Sequence, residues 1–100
     1  MIKDLNDIIK AAANAEKVTI SVAVAQDEEV LEALHGVYEN KLGDAVLVGD
    51  AGAIKPMAEE IGLPSDIRII DEKDDLKAAA IAVDLIVKGE ADVLMKGKLN

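Results

Sequence analysis

A lysine, a glycine and a second lysine, Lys96-Gly97-Lys98, follow the short apolar run Val93 to Met95 near the end of the 100-residue chain. Two ammonium groups can offset the charge of a phosphate or acyl phosphate, and a glycine admits both positive φ and close backbone approach. If Val93 to Met95 is a strand of an open parallel sheet, these residues fall just past its carboxyl end, where ligand crevices form. A solvated turn is the plain alternative, because two lysines around a glycine make a weak motif. Gly49-Asp50-Ala51-Gly52 follows another apolar run and opens a helix, so its backbone N–H groups could also face an anion. It has neither the Gly-Lys-Ser/Thr of a Walker loop nor the spacing of a dinucleotide fingerprint. An ordinary strand-to-helix turn capped by Asp50 is therefore the favoured reading there. Gln26-Asp27 holds the equivalent place after the first strand, again with a helix cap as the default.

The remaining polar residues offer little chemistry. His35 is the sole histidine and lies within a helical pattern without a second ligand, which favours a surface or packing role. Asp74-Asp75 and Glu59-Glu60 read as solvated acids at helix starts or on exposed faces. With one histidine and no cysteine, neither a nucleophilic triad nor a transition-metal cluster can be drawn, so no catalytic residue and no metal ligand is assigned. Twenty acidic against eleven basic side chains give a net charge of -9, which opposes nucleic acid and anionic membranes as partners. Any anionic ligand must then be held by a local site. Tyr38 is the only aromatic residue, so stacking on bases is not expected. No apolar run approaches the roughly 18 residues a bilayer span needs, and no signal-peptide core is present. A soluble, cytoplasmic protein is the expectation.

The elements that would position these residues are legible from periodicity. Leu5, Ile8, Ile9, Ala12 and Ala13 predict an amphipathic helix over Lys3 to Asn14. Val18 to Ala25 reads as an inner strand, with Val18, Ile20, Val22 and Val24 on one face and Thr19, Ser21, Ala23 and Ala25 on the other. A helix should follow from about residue 27 to Lys41, ended by Gly43 or its neighbours, with Val30, Leu34 and Val37 buried. Ala45 to Gly49 is the next strand. A helix from about residue 51 carries Ile54, Met57, Ala58 and Ile61, is kinked by Pro56 and stops at Gly62 before Pro64. Ile67 to Ile70 is a third strand, and Asp74 and Asp75 open a helix to about Lys88.

That last helix carries two apolar stripes. Leu76, Ala79, Ala80, Val83, Ile86 and Val87 form one, and Ala78, Ile81, Ala82 and Leu85 the other. Burial on more than one side is implied. Neighbouring helices of the same domain are the plainer cover; further sequence or a second subunit is the other. Val93 to Met95 closes the order α-β-α-β-α-β-α-β. Such alternation implies a three-layer α/β/α sandwich with a four-stranded, mainly parallel, Rossmann-like sheet. Residues 1–100 show no linker or repeat and read as a single α/β domain.

Four phrases, in order, resemble the amino-terminal part of the phosphate acetyl/butyryltransferase family. They are Val22-Ala23-Val24-Ala25-Gln26-Asp27-Glu28-Glu29-Val30-Leu31, Ala45-Val46-Leu47-Val48-Gly49-Asp50, Ala58-Glu59-Glu60-Ile61-Gly62-Leu63 and Ala91-Asp92-Val93-Leu94-Met95-Lys96-Gly97. The butyryltransferase branch is closer, since Ala-Gln-Asp-Glu-Glu stands where the acetyltransferase branch more often has a Pro-Glu-Gly type of turn.

The resemblance implies a cytoplasmic acyltransferase of two α/β domains, usually dimeric, converting acyl-CoA and phosphate into acyl phosphate and CoA. It implies no tightly bound cofactor and no metal, with coenzyme A entering as a substrate. Lys96 and Gly97 match the family's Met-Lys-Gly segment at the cleft, which strengthens the assignment of Lys96, Gly97 and Lys98 to substrate binding. The family's later residues, which supply most CoA-binding and catalytic groups, have no counterpart here. The chain is thus expected to be a truncated amino-terminal portion of a larger enzyme, inactive alone. A self-contained α/β module that binds a small anion or a partner is the competing expectation.

Overall fold

A computed structural model of the chain describes residues 17–97. Its elements are β1 (Val18–Ala23), α1 (Glu28–Glu39), β2 (Gly43–Gly49), α2 (Ala51–Ile61), β3 (Arg68–Asp71), α3 (Asp75–Val87) and β4 (Val93–Lys96). The helix expected over Lys3 to Asn14 lies outside the described residues. The strands form one sheet in the order β3-β2-β1-β4, and every neighbouring pair is parallel. No helix among the described residues is long and apolar enough to cross a membrane.

From β1 the chain steps outward to β2 and then β3, with α1 and α2 packed on one face of the sheet. It then crosses back past β1 to add β4 on the other side, and α3, the helix of that crossover, covers the opposite face. A connection of fixed hand requires this change of face when the direction of travel reverses. The expected three layers result. On the α1/α2 side, Ile20, Val22, Leu47 and Met95 meet Leu31, Leu34, Val37 and Ile54. On the other side Ala23, Val46 and Val48 meet Ala78, Ala82 and Leu85. Alanines let α3 lie close to β1, close enough for the buried Ser21 hydroxyl to donate a 2.8 Å hydrogen bond to the Ala82 carbonyl. Each fully buried Leu or Ile contributes about 2 kcal/mol by leaving water, so the larger share of core energy sits on the α1/α2 side.

Element boundaries differ from expectation where the backbone turns left-handed. β1 ends at Ala23 rather than Ala25, because Val24 has φ 56°. That turn breaks the pleat. Val24 was expected beside Val22, but it joins Ala23 in the layer under α3, while Ala25 returns to the α1/α2 layer. α1 ends at Glu39, two residues before Lys41, which takes φ 55°. Gly43 does not end that helix. It opens β2, where a Cβ would meet the Val18 carbonyl oxygen. α2 starts at Ala51, as expected, and stays helical through Pro56, which leaves one hydrogen bond of the helix unmade. Gly62, at φ 95°, ends it as expected, with Leu63 N–H donating to the Ala58 carbonyl at 2.9 Å.

Tyr38 ties α1 to β2. Its hydroxyl oxygen accepts the Ala45 N–H at 2.8 Å. Burial pushes the phenol above its ordinary pKa of 10.0; the Ala45 N–H pulls it back, and Asp44 and Asp66 raise it again. The folded state therefore holds the phenolic proton more tightly than the unfolded chain does. That contribution is complete below the ordinary tyrosine range and is lost as pH rises through it. In urea titrations at increasing alkaline pH, the wild type is expected to lose stability more steeply than Tyr38→Phe.

α3 is where packing departs most from expectation. Ala78, Ala82 and Leu85 are buried against the sheet. Among the described residues no helix covers the stripe that begins at Leu76, and Leu76, Val83 and Val87 are 80%, 45% and 78% exposed.

Candidate functional site

The strand order fixes where a ligand crevice can open. The chain travels one way from β1 to β2 and β3 and the other way to β4, so the topological switch point lies between β1 and β4. At their carboxyl ends stand Val24 to Asp27 from one strand and Lys96-Gly97 from the other. The register that sets this is established at the opposite end of the sheet. Asp92 accepts the Thr19 N–H through its carboxylate at 2.9 Å and donates its own N–H to the Thr19 carbonyl at 2.8 Å. Four parallel pairs follow, from Ile20 with Val93 to Ala23 with Lys96.

Lys96 is thus the last residue of the strand, which runs one residue beyond the expected Val93 to Met95, and it is exposed. Val93 and Met95 belong to the α1/α2 layer and Leu94 to the α3 layer, so alternation puts Lys96 on the α3 side of the rim. Among the described residues it takes part in no ion pair. Lys98, the third residue expected at the site, lies outside the described residues.

Gly97 meets one of its two expectations. It is not among the residues with positive φ. Close approach is what it provides: its N–H donates to the Ala23 carbonyl at 2.7 Å, and a Cβ would run into the carbonyl of Val24. The partner in that approach is the turn at the end of β1. Glycine therefore joins the β1 and β4 exits into one continuous rim and leaves the Lys96 side chain standing on it.

The neighbouring helix starts are closed to anions by their own side chains. Asp27 accepts the Glu29 and Val30 N–H groups at the start of α1. At α2 the Asp50 carboxylate takes the Gly52 N–H, Asp71 takes the Ala51 N–H at 3.1 Å, and Gln26 Oε1 takes the Asp50 N–H at 3.2 Å. Asp74 caps α3 through the Lys77 N–H. The Gly49-Asp50-Ala51-Gly52 segment is therefore the capped strand-to-helix turn that the sequence favoured. On the rest of the rim the charge is mainly negative. Lys73, the other described lysine near these turns, leans toward Asp71 at 3.8 Å, on the β3 side.

His35 is placed away from the switch point, on a groove between α1 and α2 with Glu28, Glu32, Met57 and Glu60, and it lies 3.6 Å from Glu39. Among the described residues no cluster of three or more His, Asp or Glu is arranged to hold a metal ion. Two residues of the rim escaped sequence reasoning. Val24 looked like one more strand valine, and nothing in its side chain announces a positive φ. Gln26 looked like part of a cap, whereas its amide oxygen ties the β2 exit to β1. Gly49 was the available signal, since its missing Cβ makes room for that oxygen.

Comparison with known proteins adds the family. The family model described as phosphate acetyl/butaryl transferase matches residues 4–88, from ahead of β1 to the end of α3. Phosphate butyryltransferase of Clostridium acetobutylicum is 45% identical over 101 residues, covering 100% of this chain and 34% of its own length. The phosphate butyryltransferase of Clostridium beijerinckii is 43% identical with 100% and 33% coverage. The phosphate acetyltransferase of Thermotoga maritima is 35% identical over 81% of this chain and 28% of its own. The chain spans about a third of the length of these relatives. With 85 of its 100 residues matched, 4 through 88, the chain belongs to the phosphate acetyl/butaryl transferase family.

Proposed function

We propose that this chain forms the phosphate-positioning part of a phosphate acyltransferase that interconverts acyl-CoA plus phosphate with acyl phosphate plus CoA. The observation that carries the reading is a lysine, Lys96, in no ion pair among the described residues, at the β1/β4 switch point of a chain belonging to this family. A phosphate oxygen attacks the thioester carbonyl carbon, the new C–O bond forms, the C–S bond breaks, and CoA leaves as a thiolate that takes up a proton. The chemistry needs phosphate held against the carbonyl and charge stabilised as it moves from oxygen to sulfur. Lys96, with Lys98 two residues on in the sequence, supplies positive charge for the first task. A short acyl chain such as butyryl is the favoured substrate, because the two clostridial butyryltransferases share 45% and 43% identity against 35% for the acetyltransferase.

One described lysine on a largely acidic rim cannot also bind CoA, activate the carbonyl and assist the leaving thiolate. The chain by itself is therefore expected to lack transferase activity, its partner groups coming from a second α/β domain that closes the cleft. Coenzyme A acts there as a substrate and not as a resident cofactor.

Two measurements test the reading. The purified chain with butyryl-CoA and phosphate is expected to release no free thiol above the uncatalysed rate, and turnover would overturn its assignment as half of a site. In a phosphate titration followed by amide chemical shifts, changes are expected at Ala23 to Asp27 and at Lys96-Gly97. Shifts centred on the His35 groove, or none at millimolar phosphate, would remove the assignment of Lys96.

A further inference from the structure

The turn that ends β1 is a bulge. From Val18 with Gly43 to Ala23 with Val48, β1 and β2 advance together residue by residue. In that register the Val48 carbonyl would next take the Val24 N–H. It takes the Ala25 N–H instead, at 3.0 Å, so Val24 is one residue too many. The left-handed φ of 56° at Val24 swings its carbonyl round to β4, where a Cβ on Gly97 would strike it. Bulges re-aim strand ends in this way and are enriched beside active sites.

The swing deprives β2 of an acceptor. Continued pairing would have given the Asp50 N–H to the Val24 carbonyl, which now lies against Gly97. The next carbonyl of the chain, that of Ala25, is taken by the Asp27 N–H at 2.8 Å. Gln26 Oε1 fills the place: it accepts the Asp50 N–H at 3.2 Å and lies where a side chain on Gly49 would begin. A side-chain oxygen thus stands in for the main-chain oxygen that the bulge redirects.

From this we infer that Gln26 is a positioning residue for the phosphate site. By taking the Asp50 N–H it leaves the Val24 carbonyl to meet Gly97, and so keeps the β4 exit, with Lys96, against the end of β1. Without that oxygen the partly buried Asp50 N–H competes for the Val24 carbonyl, the bulge relaxes toward β2, and Gly97 loses the surface it packs on. Gln26 needs no contact with the anion; it acts through Val24 and Gly97. The inference rests on the reading of Lys96 as the cation that holds phosphate.

Amide hydrogen exchange and phosphate titration of the full 100-residue chain, both followed by NMR, are the test. Gln26→Met keeps the length of the side chain and replaces its amide oxygen with a weak acceptor. It is expected to speed exchange at Gly97 about tenfold and to weaken phosphate binding about three- to tenfold, the scale of one lost hydrogen bond. Gln26→Glu keeps an acceptor for the Asp50 N–H, so its Gly97 exchange is expected within about twofold of wild type. Exchange alone is read in that variant, because the added charge opposes phosphate by itself. A merely structural tie would lower the urea midpoint of Gln26→Met and leave its Gly97 exchange and phosphate affinity at wild-type values, which overturns the proposal. Wild-type exchange beside weakened binding overturns it too, since Gln26 would then meet the anion directly, and so does fast Gly97 exchange in Gln26→Glu. Fast exchange with undiminished binding in Gln26→Met overturns it where Lys96→Ala has lost binding. Where Lys96→Ala binds phosphate like the wild type, the reading of Lys96 itself falls and takes this inference with it.

Discussion

Lys96→Ala is expected to remove phosphate binding by this chain, weakening it by about ten- to a hundredfold, the equivalent of one charge-assisted contact. The size follows from the surroundings of that lysine. The protein carries a net charge of -9, and the rim of the sheet carries Asp27 beside the switch point and Asp50, Asp71 and Glu72 farther along, at the exits of β2 and β3. Without a local cation an anion approaching the crevice meets repulsion. Helix starts offer no substitute, because Asp27, Asp50 and Asp74 each occupy the amides of their own helix. Lys73 leans toward Asp71 on the far side of β2. Lys96→Arg should keep most of the binding, and Lys96→Gln should lose it as alanine does. Raising ionic strength should weaken the wild type and leave Lys96→Ala nearly unchanged. In the complete acyltransferase the same alanine is expected to cost about a hundredfold in kcat/KM, comparable to losing one preorganised donor of a developing charge. Full binding by Lys96→Ala, measured by amide shifts, would transfer the role to Lys98 or another residue and end the assignment.

The sequence was most informative where the period of hydrophobicity decides the outcome. Val18 to Ala23, Ala45 to Gly49, and the stripes of α1 and α2 are fixed by side-chain spacing alone, and the alternation of strand and helix makes the sheet parallel. Strand order was not legible, because Val46 or Val93 would pair with β1 equally well by pattern. The actual order depends on longer-range details such as Asp92 bonding to Thr19. Since the switch point is a property of strand order, the location of the crevice could only be conjectured until β4 was seen beside β1. Boundaries failed at Val24 and Lys41, where φ is positive for residues whose side chains give no hint of it. The outer stripe of α3 was legible as apolar, but not as lacking a covering helix among the described residues. Whether a second apolar face meets a neighbour depends on how many helices lie on that side of the sheet, which periodicity does not count.

Gly97→Ala is expected to cost about 1–3 kcal/mol of stability, a heavy penalty for one methyl group on an exposed rim. The methyl would be driven into the carbonyl oxygen of Val24, with the Val24 carbonyl carbon at 2.9 Å and the Ala23 oxygen at 3.1 Å. Those are backbone atoms with no room to retreat. Val24 is fully buried under α3 and already sits at φ 56°, a region a β-branched residue enters only when its surroundings compel it. Two escapes remain, and they give different readings. If the β1 turn yields, the layer containing Val24, Val48 and Ala82 is disturbed and the loss shows in urea unfolding. If β4 yields, the 2.7 Å bond from Gly97 to Ala23 breaks and the end of an edge strand peels away. Stability then falls less, but Lys96 is no longer held opposite Ala23 and phosphate shifts at residues 23–27 disappear. Either result supports the glycine as the residue that joins the two strand exits. An alanine variant with wild-type stability and wild-type phosphate shifts would mean that the exits are not held together there. The crevice would then have to be built by groups other than the Lys96-Gly97 pair.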